Sequence, residues 1–189
     1  MLLEKIILAS KSSRRAEILR GAGWEFDAIV AGVDETRASG EGAIAYVQRL
    51  AETKAIAVAR QISAGLVLGA DTVVIIEDEI LGQPRDAEDA QRMLRLLNGK
   101  WHEVLTGVAL VRVGEKTETL VAHETTRVRF AELSAEEIAW YVSTGEPRDK
   151  AGAYAIQGRG GIFIKEIQGD YFNIVGLPVR LVYEMARKL

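Results

Sequence analysis

Leu66-Val67-Leu68-Gly69-Ala70-Asp71-Thr72-Val73-Val74-Ile75-Ile76 is a long β-rich run, and Glu77-Asp78 directly behind it is a turn signal. Glu79-Ile80-Leu81-Gly82 then reads as a short strand returning along the first. Strands joined this tightly pair antiparallel, because a parallel neighbour needs a crossover of a dozen or more residues. The stretches 103–113 and 117–131 repeat the arrangement around a turn at Gly114. Elsewhere strand and helix alternate. Residues 5–9 read as a short buried strand, 13–21 as a serine-capped helix and 25–31 as a second strand. Ile44, Val47, Leu50, Ala51, Ala55 and Val58 recur at helical spacing across 43–60. Asp86 caps a helix through Leu97, with Gly99 at its stop. Ser134 and Glu137 form a capping box for a helix to Val142. A glycine-rich irregular segment at 149–161 precedes a strand at 162–167, and Pro178 fits the first turn of a final helix to Leu189. The pattern predicts an α/β fold with a mixed central sheet flanked by helices. The antiparallel pairs argue against a purely parallel, doubly wound sheet.

The chain has 189 residues, enough for one domain, 1–189, with a sizeable core. Its formal net charge of −3 excludes a general polyanion binder, so no nucleic-acid partner is expected. A phosphate-rich ligand must therefore be met by a local cluster of Lys and Arg. With no cysteine, thiol catalysis, disulfides and cysteine metal sites are excluded. The apolar run within 1–10 is too short to span a membrane and is interrupted by Glu4. Arg14 and Arg15 follow that run, the reverse of a signal peptide, and a cytoplasmic protein is expected.

Four segments carry candidate chemistry. Ser10-Lys11-Ser12-Ser13-Arg14-Arg15 lies between a strand and a helix, where free N–H groups, hydroxyls and two guanidiniums favour phosphate. The same residues also make an ordinary capped helix with solvated arginines. Asp71 interrupts an apolar run, and a carboxylate there is costly unless it is paired, protonated or bound to a cation. Asp34 and Glu35 also follow a strand, and carboxylates at strand ends can hold a divalent cation or activate water. Read alone, those two are a polar loop. Lys54 falls near the buried side of its helix, where a lysine ordinarily snorkels to water. In 149–158, small residues allow close approach of a ligand, Lys150 can meet phosphate, and Gln157 can read a base edge. The competing reading is a tight turn with an Asp149–Lys150 surface pair. There is no phosphate loop and no nucleophile elbow. His102 and His123 are not at metal-site spacing, and His102 reads as structural.

Taken together, these segments resemble the Maf family of nucleotide pyrophosphatases. The resemblance rests on Leu8-Ala9-Ser10 with Ser12 and Arg14-Arg15, Asp34-Glu35, Lys54-Ala55, Gly69-Ala70-Asp71-Thr72 and Asn98-Gly99 with His102 and Thr106-Gly107. It continues through Asp149-Lys150-Ala151-Gly152-Ala153-Tyr154, Ile156-Gln157-Gly158, Gly169-Asp170-Tyr171 and Val175-Gly176-Leu177-Pro178, along nearly the whole chain. It implies an elongated two-lobed α/β fold with a cleft, similar to the inosine triphosphate pyrophosphatases. It also implies cleavage between the α and β phosphates of a nucleoside triphosphate with a divalent metal, Mg or Mn.

On that resemblance Asp71 is the catalytic proton acceptor, and Lys54 is a second catalytic residue that helps hold the triphosphate. Ser10, Ser12, Arg14, Arg15, Thr72, Lys150 and Gln157 bind substrate, and Asp34 and Asp71 hold the metal. The paired arginines, Thr72 and Gln157 resemble the branch acting on dTTP and UTP, and a homodimer is implied as well. Two positions depart from the family pattern. Ser13 stands where Pro is usual, and both suit a helix start. Gln83 stands where a phosphate-contacting lysine is usual and carries no charge. Two alternatives remain open: a nucleotide-sensing regulator of septum formation with little turnover, or the same chemistry on 7-methyl-GTP.

Overall fold

Residues 4–189 are described by the computed structural model; Met1, Leu2 and Leu3 of the N-terminal apolar run lie outside the described residues. Strand β1 (Ile6–Leu8) runs parallel to β2 (Phe26–Ala28), with Ile6 opposite Phe26, and parallel to β3 (Gly65–Ile76), with Ile6 opposite Leu66. The crossovers contain helix α1 (Ser13–Gly21) and helix α2 (Ala43–Ala59). Strand β4 (Glu79–Leu81) turns back antiparallel on β3, Val74 facing Leu81, as the turn at Glu77-Asp78 requires. Helix α3 (Ala87–Leu97) precedes the long strands β5 (Trp101–Val113) and β6 (Glu118–Phe130). Helix α4 (Ala135–Ser143), strand β7 (Ile164–Gln168), helix α5 (Tyr171–Val175) and helix α6 (Val179–Ala186) complete the described elements. The strand order is β2-β1-β3-β5-β6-β7 with β4 paired to β3, a mixed sheet. Among the described residues no helix is long and apolar enough to cross a membrane.

The chain forms two units. One runs up to Asp71 and includes Thr106–Glu124 and Gly176–Leu189. Its sheet supports α2 at close range. A Cβ on Gly69 would stand 2.1 Å from the Ala51 carbonyl oxygen, and one on Gly107 would stand 2.3 Å from that of Val47. Only glycine leaves room for a helix backbone to lie directly on the strand. Ala51, Ala55 and Val58 then pack on Val67, Ala109 and Val111.

The other unit holds Thr72–Leu105 and Thr125–Val175. Asp86 Oδ1 accepts the Asp89 N–H at 2.8 Å and starts α3. Ser134 and Glu137 close the capping box of α4, a start signal of about 0.5–2 kcal/mol. Leu94, Leu97, Val128, Phe130, Tyr141 and Phe163 form its core. Each large side chain withdrawn from water there contributes about 1.5–3 kcal/mol.

Several elements differ from the sequence expectation. Strands β1 and β2 are shorter than 5–9 and 25–31, since only three residues of each enter the parallel ladder. The irregular segment contains 3₁₀ turns at Glu146–Asp149, Ala151–Ala153 and Arg159–Phe163, so Ile162 and Phe163 belong to a turn and β7 starts at Ile164. Helix α5 was not foreseen: it has five residues, too few to show a period, and starts where Asp170 Oδ1 accepts the Phe172 N–H at 2.7 Å. Pro178 is the N-cap of α6 rather than within its first turn, and the helix ends at Ala186, short of Leu189.

Candidate active site

Of the residues singled out by sequence, the first unit holds Ser10, Ser12, Arg14, Arg15, Asp34, Glu35, Lys54 and Asp71. Gly69 and Asp71 point to the same face of β3, because side chains alternate along a strand. Gly69 lies beneath Ala51 and Ala55 of α2, so Asp71 emerges beneath the same helix, and Lys54 meets it there. Lys54 Nζ donates to Asp71 Oδ1 at 2.7 Å and stands 2.9 Å from Glu35 Oε1. Lys54 and Asp71 are each only 8% exposed. Burying both charges is tolerable because they are paired; removing one would leave the other stranded. Burial pushes the Asp71 carboxyl above its ordinary value, against the opposing pull of Lys54 and then Arg15, while Glu35 pushes the same way as burial.

The loop carrying Glu35 is tied to α2. The Tyr46 hydroxyl donates to the Glu35 carbonyl at 2.9 Å, and Arg49 Nη2 donates to the Thr36 carbonyl at 3.1 Å. Arg49 also donates to both carboxylate oxygens of Glu41, at 2.6 and 2.8 Å, and holds that carboxyl down at about 2. Asp34 Oδ1 accepts the Thr36 N–H at 2.9 Å and is exposed. Glu35, rather than Asp34, is thus the carboxylate that shares Lys54 with Asp71. Tyr46 and Arg49 carried no sequence signal, since one polar face of a helix looks like another until the loop it touches is known.

The serine–arginine segment forms the mouth of α1. Ser12 is its N-cap, with Oγ 3.5 Å from the Arg15 N–H. Ser10 Oγ accepts the Ser12 N–H and Arg15 Nη1, both at 3.1 Å, and Arg15 Nε donates to the Gly176 carbonyl at 2.8 Å. Arg15 is therefore fixed in place, and burial lowers its guanidinium from its ordinary value, with the charge of Asp71 opposing. Arg14 is half-buried on the same turn.

The second unit places the remaining candidates. Thr72, half-buried, follows Asp71 on β3 and faces the opposite side of the strand. Gln83 Nε2 donates to the Asp149 carbonyl at 3.3 Å, and the Gly152 N–H donates to the Gly82 carbonyl at 3.0 Å, so the 82–83 and 149–152 backbones are joined. Lys150 Nζ pairs with the Asp149 carboxylate, the surface pair that competed with a phosphate role. Gln157 is exposed. His102 is buried with Nε2 2.7 Å from the Tyr154 hydroxyl, and burial holds it down at about 3. It is neutral at neutral pH and structural, as its sequence position suggested. Among the described residues no group of three or more His, Cys, Asp or Glu side chains converges as a metal site.

A mixed sheet of this order defines an α/β class shared with the Staphylococcus aureus Ham1 protein. That solved structure superposes with a TM-score of 0.54 over 98% of this chain and 99% of its own, at 13% identity. Residues 5–189 match the Maf-like protein family, and the chain belongs to it. Two relatives each align over 97% of this chain: a protein of Symbiobacterium thermophilum, 51% identical over 93% of its own length, and one of Bacillus cytotoxicus, 50% identical over 95%. Both are named dTTP/UTP pyrophosphatase.

Proposed function

We propose that this protein is a nucleoside triphosphate pyrophosphatase that hydrolyses dTTP and UTP to the monophosphate and pyrophosphate. The observation that carries the reading is the buried Lys54–Asp71 pair with Glu35 on the same ammonium. The names of relatives that are half identical over nearly the whole chain supply the substrate class.

Asp71 is the base. Burial raises its proton affinity, which suits it to take a proton from water. The water oxygen bonds to the α phosphorus, its proton passes to Asp71, and the bond from that phosphorus to the oxygen bridging to the β phosphorus breaks. Pyrophosphate leaves with that oxygen. Lys54 keeps Asp71 ionised and oriented. Arg14 and Arg15, with Ser10 and Ser12 at the α1 N-terminus, bind phosphate oxygens, and Lys150 adds charge. Thr72 and Gln157 are assigned to substrate selection.

Carboxylate oxygens suit Mg or Mn, and Asp71 and Glu35, which both meet Lys54 Nζ, would hold the cation through the oxygens that Lys54 does not take, with phosphate and water in the remaining positions. We assign the second protein ligand to Glu35, because Glu35 and Asp71 lie on the same ammonium, whereas Asp34 makes its hydrogen bond to the Thr36 N–H of its own loop. When bound, the cation supplies positive charge to the phosphate oxygens.

The test is pyrophosphate release from a panel of nucleoside triphosphates, with and without Mg or Mn. Metal-dependent release favouring dTTP and UTP supports the proposal. Preference for 7-methyl-GTP would move the protein to another branch, and binding without release would make it a sensor.

A further inference from the structure

The loop 155–160 carries Gln157 and is tied to the side chains of Tyr141 and Glu146. Tyr141, fully buried on α4, accepts the Ala155 N–H at 3.1 Å and donates its own proton to Glu146 Oε1 at 3.0 Å. Glu146 Oε1 also accepts the Gly160 N–H at 3.0 Å, and Oε2 accepts the Arg159 N–H at 3.1 Å. The phenol itself is fixed edge-on against Phe163, with centroids 5.1 Å apart. Bonds to a carboxylate are among the stronger hydrogen bonds in proteins, and they hold the 159–160 end of the loop while the Tyr141 hydroxyl holds the 155 end.

The glycines of Gln157-Gly158-Arg159-Gly160 fit the same arrangement. A Cβ on Gly158 would lie 2.9 Å from Glu146 Oε2, and one on Gly160 would lie 2.5 Å from the Tyr141 hydroxyl oxygen. Their spacing leaves room for the carboxylate and the phenol. Burial raises the Tyr141 phenol, which stays a donor, whereas Glu146 is held below its ordinary value by the Gly160 and Arg159 N–H groups despite burial. The Gln157 side chain makes no hydrogen bond among the described residues, so its position comes from the backbone beneath it.

We propose that Tyr141 and Glu146 are positioning residues for substrate selection: they clamp the loop 155–160 so that Gln157 meets the pyrimidine base in one orientation. The proposal rests on the assignment of Gln157 to the base. A side chain without partners of its own reaches a base from one direction only if the backbone that carries it is held still, and the bonds to Ala155, Arg159 and Gly160 do that.

The test compares kcat and KM for dTTP and dGTP in the full-length protein and in Glu146→Gln, Tyr141→Phe, Gln157→Ala and the Glu146→Gln/Gln157→Ala double variant. Circular dichroism checks that each is folded. Glu146→Gln keeps the volume but turns one acceptor into a donor facing donors. The expected result is a fall of about tenfold in the dTTP:dGTP ratio of kcat/KM for Glu146→Gln and Tyr141→Phe, entering mainly through KM for dTTP. The double variant should lose no more than Gln157→Ala alone, because the clamp acts through Gln157. If Gln157→Ala loses selectivity while folded Glu146→Gln and Tyr141→Phe retain it, the clamp is refuted and the base assignment stands. If Gln157→Ala itself retains selectivity, the base assignment falls and the clamp's role in selection falls with it. Should Glu146→Gln fail to fold, Gly158→Ala crowds the same carboxylate and must lower the ratio; an unchanged ratio would overturn the proposal.

Discussion

The Lys54 ammonium and the Asp71 carboxylate stand 2.7 Å apart beneath helix α2, nearly closed off from water. Asp71→Asn keeps the shape but abolishes the base, and kcat should fall by about 10²–10⁴-fold in folded protein. Lys54→Met leaves a buried carboxylate without its partner and should cost about 3–5 kcal/mol by urea unfolding. Near-normal turnover of folded Asp71→Asn would remove Asp71 from the mechanism.

The raised proton affinity of Asp71 has a kinetic signature. A carboxyl above its ordinary value is still protonated at a pH where an exposed aspartate is ionised, and the protonated form is inactive as a base. The acid limb of kcat/KM for dTTP should therefore fall at a pH above 3.8, the ordinary aspartate value. A profile flat down to that value would contradict the assignment.

Gly69 sets the height of α2 over β3. Gly69→Ala places a methyl 2.1 Å from the Ala51 carbonyl oxygen and must lift the helix that carries Lys54. Overpacking of this kind costs about 1–3 kcal/mol. Turnover should fall even at temperatures where the variant is fully folded, because Lys54 moves with the helix. Full activity in folded Gly69→Ala would show that the helix height is not critical.

His102 makes stability depend on pH. It is held at about 3 in the folded protein against 6.5 for the free group, so the unfolded chain binds the extra proton between those values. Its contribution is fully present above pH 6.5 and is lost as pH falls toward about 3. The limiting slope is about 1.4 kcal/mol per pH unit. Thermal unfolding of the protein and of His102→Gln across this window should show a shallower pH dependence in the variant.

Among the described residues the Gln83 side chain reaches only the Asp149 carbonyl, at 3.3 Å. Gln83→Lys adds a positive charge beside the Asp149–Lys150 backbone, and KM for dTTP should fall if this region meets phosphate. Unchanged kcat and KM would count against that account.

Much of the local structure was legible from residue types. Ser12, Asp86 and the Ser134–Glu137 box mark helix starts through their own hydrogen bonds, which need nothing from the rest of the chain. The turn at Glu77-Asp78 dictated an antiparallel return, and Asp71 was conspicuous because a charge among β-branched residues demands a partner. Helix α5 and the turns of 146–163 were not legible, since segments of three to five residues carry no periodicity.

By itself, then, the sequence determined the mixed α/β class, the helix caps and the isolation of Asp71, because these follow from side-chain chemistry over a few neighbouring residues. Only the tertiary structure decided which partners those residues take. Glu35 rather than Asp34 joins Lys54 because Tyr46 and Arg49 hold its loop against α2. Lys54 turns inward instead of to water because Gly69 and Gly107 let its helix lie directly on the sheet. Tyr141 and Glu146 grip the Gln157 loop through hydrogen bonds between groups 14 positions apart in the chain. Contacts of this kind depend on backbone elements meeting at distances of a few ångströms, which no short stretch of sequence encodes.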